Sequence, residues 1–337
     1  MISNKSKNYY LILKETLLVV SFFFCFVFFY IIMFMEKLLL VYNPKSGDGR
    51  IRAQLAKVIE IFSNANYRVE VYATKRENDG MEWIEKVGCE FDRIVVCGGD
   101  GMFHEAVNGW FQSRSKAPLA YIPSGTVNDF ANTHNIPKND VEAATMIASD
   151  GMIDQIDAGL FNDTYFSYVA AFGFATSTAY DTPQTKKRKL GTLAYVLHAL
   201  EVVDFTHWEN NCVSTRIEYE GGMIEGNFLY GQISSSRYVG GMDAFTKGRY
   251  DLKDGLLEGV FIRQPMNLSE LNSIIASIAK SDIENNPLIV PVQSPWFEFD
   301  GESIAWTLDG EYGGEVPHAK IQVVEQQLKV VLPKEEE

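Results

Sequence analysis

From Lys37 to Ala148 the apolar positions switch repeatedly between two periods. Lys37–Tyr42 is a short apolar run of the kind carried by a buried parallel strand. Arg50–Asn64 then places Ile51, Leu55, Val58, Ile59 and Phe62 at helical spacing, which predicts a helix with one face on a sheet. Tyr67–Tyr72 alternates as a strand does, and Gly80–Val87 returns to the helical pattern. Arg93–Val96 predicts a strand, Met102–Trp110 a helix, Leu119–Ile122 a strand and Val141–Ala148 a helix. Strands alternating with helices imply a parallel sheet covered on both faces.

Beyond about Met152 helical periodicity becomes rare. Short β-type segments follow one another at Tyr165–Ala170, Val213–Tyr219, Asn227–Ile233, Leu257–Arg263, Leu288–Val292 and Trp296–Phe299, with Gly and Asn turns between them. Helical patterns interrupt at Gly191–Val203 and Leu268–Lys280. The reading is an antiparallel, sandwich-like second domain after an α/β first domain. Lys320–Leu332 alternates again and can return to either one. The domains expected are 36–155 (α/β), 156–318 (β-rich), and 319–337 (final strand and tail), after an apolar leader over 1–35.

That leader changes the picture. Leu17–Met35 carries no charge, and its length of about nineteen residues just suffices to cross a bilayer as a helix. No small-residue cleavage site follows it. Two readings stand: a membrane anchor, or a stretch ahead of a true start at Met33 or Met35.

The formal net charge of -14 on 337 residues excludes nucleic acid as a partner, since phosphate backbones need a basic surface. Cys25, Cys89, Cys97 and Cys212 show neither metal-ligand nor disulfide spacing, which suits a reducing, cytoplasmic compartment. The one dense basic cluster, Thr185-Lys186-Lys187-Arg188-Lys189, suits anionic lipid headgroups or a solvated loop.

Candidate chemistry gathers in three glycine-rich turns, each after an apolar strand. They are Asn43-Pro44-Lys45-Ser46-Gly47, Gly98-Gly99-Asp100-Gly101 and Pro123-Ser124-Gly125-Thr126-Val127-Asn128-Asp129-Phe130. Glycine lets backbone N–H groups approach a polyanion, helix N-termini favour negative charge, and strand ends on one sheet edge are where such folds bind ligands. Together they point to a nucleotide-using enzyme. Neither the G-x-x-x-x-G-K-[ST] loop nor G-x-G-x-x-G is present. Asp100, among three glycines, either meets phosphate through a bound Mg²⁺ or simply forms a turn. Lys45 is a phosphate contact or a surface lysine. The Thr126 hydroxyl can bond phosphate, whereas Asn128 and Asp129 are ligand contacts or helix caps. Far downstream, Asp309-Gly310-Glu311 in an extended segment would turn both carboxylates to one cleft, as a kinase needs for its accepting hydroxyl; an acidic hairpin turn is the plainer alternative. Asp251-Leu252-Lys253-Asp254-Gly255-Leu256 reads as another hairpin turn.

In this order the pieces resemble the bacterial diacylglycerol kinase family, soluble lipid kinases related to the diacylglycerol and sphingosine kinases of eukaryotes. The resemblance runs from about Glu36 to Leu332. Besides the turns it takes in Glu105, Asn108-Gly109, Phe172-Gly173-Phe174, Gly191-Thr192-Leu193-Ala194-Tyr195 and Asp254-Gly255. It implies a nucleotide cleft between the two domains. ATP would be contacted by Asn43, Pro44, Lys45, Ser46, Gly47, Thr74, Gly98, Gly99, Asp100, Gly101, Met102, Phe103, His104 and Thr126. It further implies Asp100 in the magnesium–nucleotide network, Glu311 as catalytic base with Asp309 supporting it, and a structural Mg²⁺ at Asp254 with Asp251 and Leu256.

Met102 departs from the threonine usual in the family at that position, and a thioether cannot donate a hydrogen bond. The expected activity is ATP- and Mg²⁺-dependent phosphorylation of a lipid hydroxyl at the inner membrane face, with diacylglycerol as the family's acceptor; a homodimer is compatible with it. The alternatives are an NAD kinase-like enzyme and a non-catalytic nucleotide- or lipid-binding homologue.

Overall fold

The computed structural model describes residues 35–173, 212–239, 251–280 and 282–334. The leader up to residue 34, Phe174, the basic cluster at 185–189 and the helix expected over 191–203 lie outside the described residues.

The first half is the expected α/β layer. Strands β1 (Glu36–Tyr42), β2 (Tyr67–Ala73), β3 (Arg93–Gly98) and β4 (Leu119–Pro123) pair in parallel in the order β4-β3-β1-β2. Helices α1 (Arg50–Asn64), α2 (Asp79–Val87), α3 (Asp100–Ser113), α4 (Asp129–Thr133) and α5 (Val141–Asp150) connect or follow them. Leu38 to Val41 and Ile94 to Cys97 are all 0% exposed, so both faces of the central strands are covered and their sequences are unbroken apolar runs. Helix α5 starts where Asp140 accepts the N–H of Ala143 at 2.9 Å, an ordinary side-chain cap.

The second half is antiparallel. It contains β5 (Met152–Phe161), β6 (Thr164–Phe166), β7 (Val169–Gly173), β8 (Val213–Tyr219), β9 (Gly222–Ser234), β10 (Leu257–Arg263), α6 (Leu268–Ala279), β11 (Ile289–Ser294), β12 (Trp296–Leu308) and β13 (Glu311–Leu332). Strand β12 pairs with β8 through its first half and with β7 at its end, while β9 pairs with β8, β7 and β10. These two long strands wrap the layer around an aromatic core of Phe172, Phe228, Phe261, Phe297, Phe299 and Trp306. Phe299 meets Trp306 edge-on at 4.9 Å; each such buried ring contributes about 2–3 kcal/mol through its apolar area.

Three elements differ from expectation. The segment Tyr165–Ala170 is two strands, broken at Ser167-Tyr168, because both N–H groups there bond the Asp309 carboxylate instead of a neighbouring strand. Strand β5, which the sequence pattern does not show, forms along β13. Finally, β13 serves both halves: it pairs with β12 and β5, and at Val330 with Leu119 of β4.

Candidate active site

Strands β1, β3 and β4 are neighbours with parallel register, so the three glycine-rich turns leave the same sheet edge. Hydrogen bonds tie them together. The Asn43 N–H donates to Cys97 O (3.0 Å), and Asn43 Oδ1 accepts the Lys45 N–H (2.9 Å). Ser46 opens a short 3₁₀ turn, Ser46–Gly49, and its Oγ accepts from Ser124 Oγ at 2.9 Å. The Ser124 N–H reaches Gly98 O (2.7 Å), and the Thr74 N–H reaches Tyr42 O (3.0 Å). The second and third turns press backbone to backbone: a Cβ on Gly125 would stand 2.6 Å from Gly99 Cα. Glycine is needed at this crossing for space.

Asp100 occupies the first turn of α3 and turns toward the third loop. Its Oδ2 accepts the Asn128 N–H and its Oδ1 the Asp129 N–H, both at 2.8 Å. Asp100 therefore caps α4 from a distance of 28 residues, and Asn128 is freed for another task. Asn128 sits in the left-handed region (φ 55°), bonds Gly125 N–H and O through its amide, and accepts from Tyr121 Oη. The expectation that Asn128 or Asp129 caps the helix by its own side chain is corrected: α4 has no such cap of its own. Desolvation, then the Asp129 carboxylate, pushes Asp100 up to about 7, against the pull of the two N–H groups.

The other end of the chain arrives as a hairpin. Asp309 (φ 52°) and Gly310 (φ 84°) form the two-residue turn between Leu308 and Glu311, so the extended segment assumed from sequence is a type I′-like turn. Asp309 is 2% exposed and saturated. Its Oδ2 accepts from Ser167 N–H (2.7 Å), Ser167 Oγ (3.1 Å) and His104 Nδ1 (3.0 Å), and its Oδ1 from the N–H of Tyr168 (2.9 Å) and Val169 (3.1 Å). A carboxylate so held anchors the hairpin tip. Glu311, two residues on, is exposed and lies over Gly101 in the first turn of α3: a Cβ there would be 3.1 Å from Glu311 Cδ. The positive end of the helix faces this carboxylate.

The α3 surface repeats this contact along its length. His104 meets Asp309 one turn after Gly101, and Asn108 exchanges two hydrogen bonds of 2.9 Å with the Tyr165 backbone one turn further. Sequence reading missed Ser167, Tyr168 and Tyr165, whose roles rest on backbone groups that no side-chain pattern advertises. Tyr168 marks the centre of charge: burial raises its hydroxyl well above the ordinary value, and Asp100, Asp129, Asp309 and Glu311 raise it further.

Other expected contacts fall differently. Thr126 and Lys45 are exposed at the loops. Met102 is 6% exposed and packs on Gly98 and Gly80, while Phe103 is 1% exposed against Tyr121 and Phe130. Both side chains belong to the core. Glu105 accepts the N–H groups of Asn78 (3.0 Å) and Gly80 (2.9 Å) and so caps α2.

The 251–256 loop stands apart, fastened to β5 and β13. Asp251 Oδ1 accepts Lys253 N–H and Asp254 Oδ1 accepts Leu256 N–H, each at 3.0 Å. The Gly255 N–H donates to Asp157 Oδ2 (2.9 Å), and Asp157 Oδ1 accepts from Gln326 N–H (2.7 Å). Among the described residues, no three His, Cys, Asp or Glu side chains converge as a ready-made metal cage. Nor, among them, is any helix long and apolar enough to cross a membrane.

Three backbone-lined turns, a helix N-terminus and an exposed carboxylate over it make an arrangement that suits phosphate groups. Comparison with known proteins makes the class specific. Residues 37–161 match the diacylglycerol kinase catalytic domain. A diacylglycerol kinase of Bacillus subtilis (strain 168) is 30% identical over 303 residues, covering 89% of this chain and 98% of the relative. One from Staphylococcus epidermidis (strain ATCC 35984) is 28% identical over 298 residues, covering 88% and 92%. A crystal structure from Bacillus anthracis str. Sterne superposes with a TM-score of 0.76 at 24% identity, over 88% of this chain and 95% of that one, and shows the same two-domain fold. The chain belongs to the diacylglycerol kinase family and is a lipid kinase.

Proposed function

We propose that this chain transfers the γ-phosphoryl group of ATP to the free hydroxyl of diacylglycerol, giving phosphatidic acid and ADP. The observation that carries the reading is Glu311: an exposed carboxylate, placed over the α3 N-terminus by a hairpin whose tip Asp309 locks. Glu311 accepts the hydroxyl proton as its oxygen attacks the γ-phosphorus. The loop N–H groups around Gly98–Gly101, Asn43–Gly47 and Thr126 hold the phosphates in line.

Mg²⁺ fits this donor set. Four carboxylates lie within electrostatic reach of Tyr168, and a nucleotide polyanion beside them needs a hard cation that accepts oxygen ligands. Asp100 keeps a free lone pair on each oxygen and would take part on the nucleotide side; Asp251, Asp254 and the Leu256 backbone would hold a second, structural ion. When bound, the nucleotide's ion neutralises charge on the transferring group.

The acceptor lies at a membrane surface, which suits a peripheral enzyme at the inner face. Met102 keeps its side chain in the core, packed on Gly98 and Gly80, so the backbone donors of the loop stay available to a nucleotide and the catalytic reading stands without a hydroxyl at this position. The test offers full-length protein in mixed micelles diacylglycerol, a sphingoid base, a monoacylglycerol and NAD⁺ together, and identifies products by mass spectrometry. Phosphatidic acid as the main product supports the reading; phosphorylated NAD⁺ alone, or none from folded protein, refutes it.

A further inference from the structure

The edges of the sheet are not alike. Strand β11, at one end, carries Pro291 in mid-strand. The free side of β5 near Asp157 is covered by the 251–256 loop, whose Leu252 O accepts the Asp157 N–H. Strand β2, at the other end, has neither device. Its residues, Tyr67-Arg68-Val69-Glu70-Val71-Tyr72-Ala73, include no proline, glycine or lysine, and they run along β1 without a bulge. Among the described residues no strand pairs with its outer side. Such a long, regular edge offers a row of backbone donors and acceptors to any strand that matches it, and folds usually blunt it.

The backbone shows which groups point outward. The Thr74 N–H donates to Tyr42 O of β1. Sides alternate along a strand, so Tyr72, Glu70 and Arg68 also turn to β1, while Tyr67, Val69, Val71 and Ala73 turn their N–H and C=O to the free edge. The side chains alternate too. Tyr72 stacks on Trp83 of α2 with centroids 4.4 Å apart, so Arg68 and Glu70 lie on that side of the sheet, and both are exposed. Tyr67 meets Phe62 of α1 on the opposite side, where Val71 is 39% exposed.

We propose that this edge joins two copies of the chain, β2 pairing antiparallel with β2 about a two-fold axis at Val69. Val69 then faces its own counterpart and Tyr67 faces Val71, all of them residues with outward backbone groups, which gives about six N–H···O bonds. Between them Arg68 of each copy stands opposite Glu70 of the other. These are the closer, non-hydrogen-bonded positions, with Cα atoms about 4.5 Å apart, where opposite charges attract across the ladder. Neighbouring registers lose this match. A two-fold at Arg68 or Glu70 sets like charges face to face, and one at Val71 sets Arg68 against Thr74 and Glu70 against Tyr72. The strand is self-complementary about Val69, and the contact closes on itself, as a two-fold dimer must.

Antiparallel pairing sends the two catalytic sheet edges to opposite ends of the joined sheet. Neither copy adds a residue to the other's site, so nucleotide binding does not depend on the contact.

The test uses the full-length chain in detergent micelles, which keep apolar segments apart, and reads mass by sedimentation velocity beside ATP affinity per protomer. The wild type is expected to be a dimer. Arg68→Glu and Glu70→Arg should each raise its dissociation constant about tenfold or more, and the two together, which exchange the charges, should restore it to within about threefold, with ATP affinity unchanged throughout. On mild oxidation Arg68→Cys/Glu70→Cys should form an interchain disulfide, and Arg68→Cys alone should form no more than wild type, because only residues 68 and 70 lie opposite each other across the axis. A monomeric wild type, a dimer indifferent to the single changes, or a charge exchange that stays dissociated overturns the proposal. Equal cross-linking of the two cysteine variants overturns it as well.

Discussion

Gly101→Ala separates the geometry of the site from the stability of the fold. Gly101 lies in the first turn of α3, where alanine is the better helix former by about 0.5–1 kcal/mol. The nearest atoms it would meet all belong to Glu311: the new Cβ would stand 3.1 Å from Cδ and 3.5 Å from Cγ, with a carboxylate oxygen nearer still. Glu311 is exposed and flexible, so it yields, and restoring ordinary contact moves its carboxylate by roughly 1 Å. A displacement of that size costs about a hundredfold in turnover. The variant should therefore keep or gain thermal stability, keep its KM for ATP, and lose about two orders of magnitude in kcat for lipid phosphorylation. Differential scanning fluorimetry beside a phosphate-transfer assay reads both. Turnover within threefold of wild type would refute the placement of Glu311, and a matching fall in Tm would show that the residue serves packing.

Asp309→Ala leaves the donors of Ser167, Tyr168, Val169 and His104 unpaired, and should cost about 3 kcal/mol or more in urea unfolding; a loss under 1 kcal/mol contradicts the anchoring role. Asp100 gives a pH signature. Its folded pKa of about 7 lies above the unfolded 3.8, so its ionisation weakens the fold as pH rises from about 4 to 7, by up to about 1.4 kcal/mol per unit. Denaturation curves at pH 5 and 7 should fall more steeply for wild type than for Asp100→Asn, and parallel curves would contradict the assignment. Met102→Thr should lower stability by about 1–2 kcal/mol without raising turnover, because it hollows the core beside Gly80 and Gly98.

The α/β half was readable because its signals are local. Apolar runs at Leu38–Val41 and Ile94–Cys97 and the 3.6-residue spacing from Ile51 to Phe62 report burial directly, and the helix they predict runs Arg50–Asn64. What escaped is non-local. Strand β5 forms because β13, far along the chain, offers it a partner, through pairs such as Val330 with Asp154. Asp100 caps α4, and Asp309 splits a strand at Ser167-Tyr168, through backbone N–H groups that carry no letter of their own. Glycine at 99 and 125 marked a phosphate turn, yet only the fold shows that the two cross each other. Sequence named the candidate residues and carried none of the bonds that couple them.

The most direct test of the central claim compares wild type with Glu311→Gln in transfer of labelled γ-phosphate from ATP to diacylglycerol in mixed micelles, alongside ATP affinity for both proteins. Removing a positioned base costs about 10²–10⁴ in rate while the carboxamide keeps the size of the side chain. Labelled phosphatidic acid from wild type, a loss of that order in the variant and equal ATP affinity are the predicted result. Phosphatidic acid formed at the same rate by both would contradict the account.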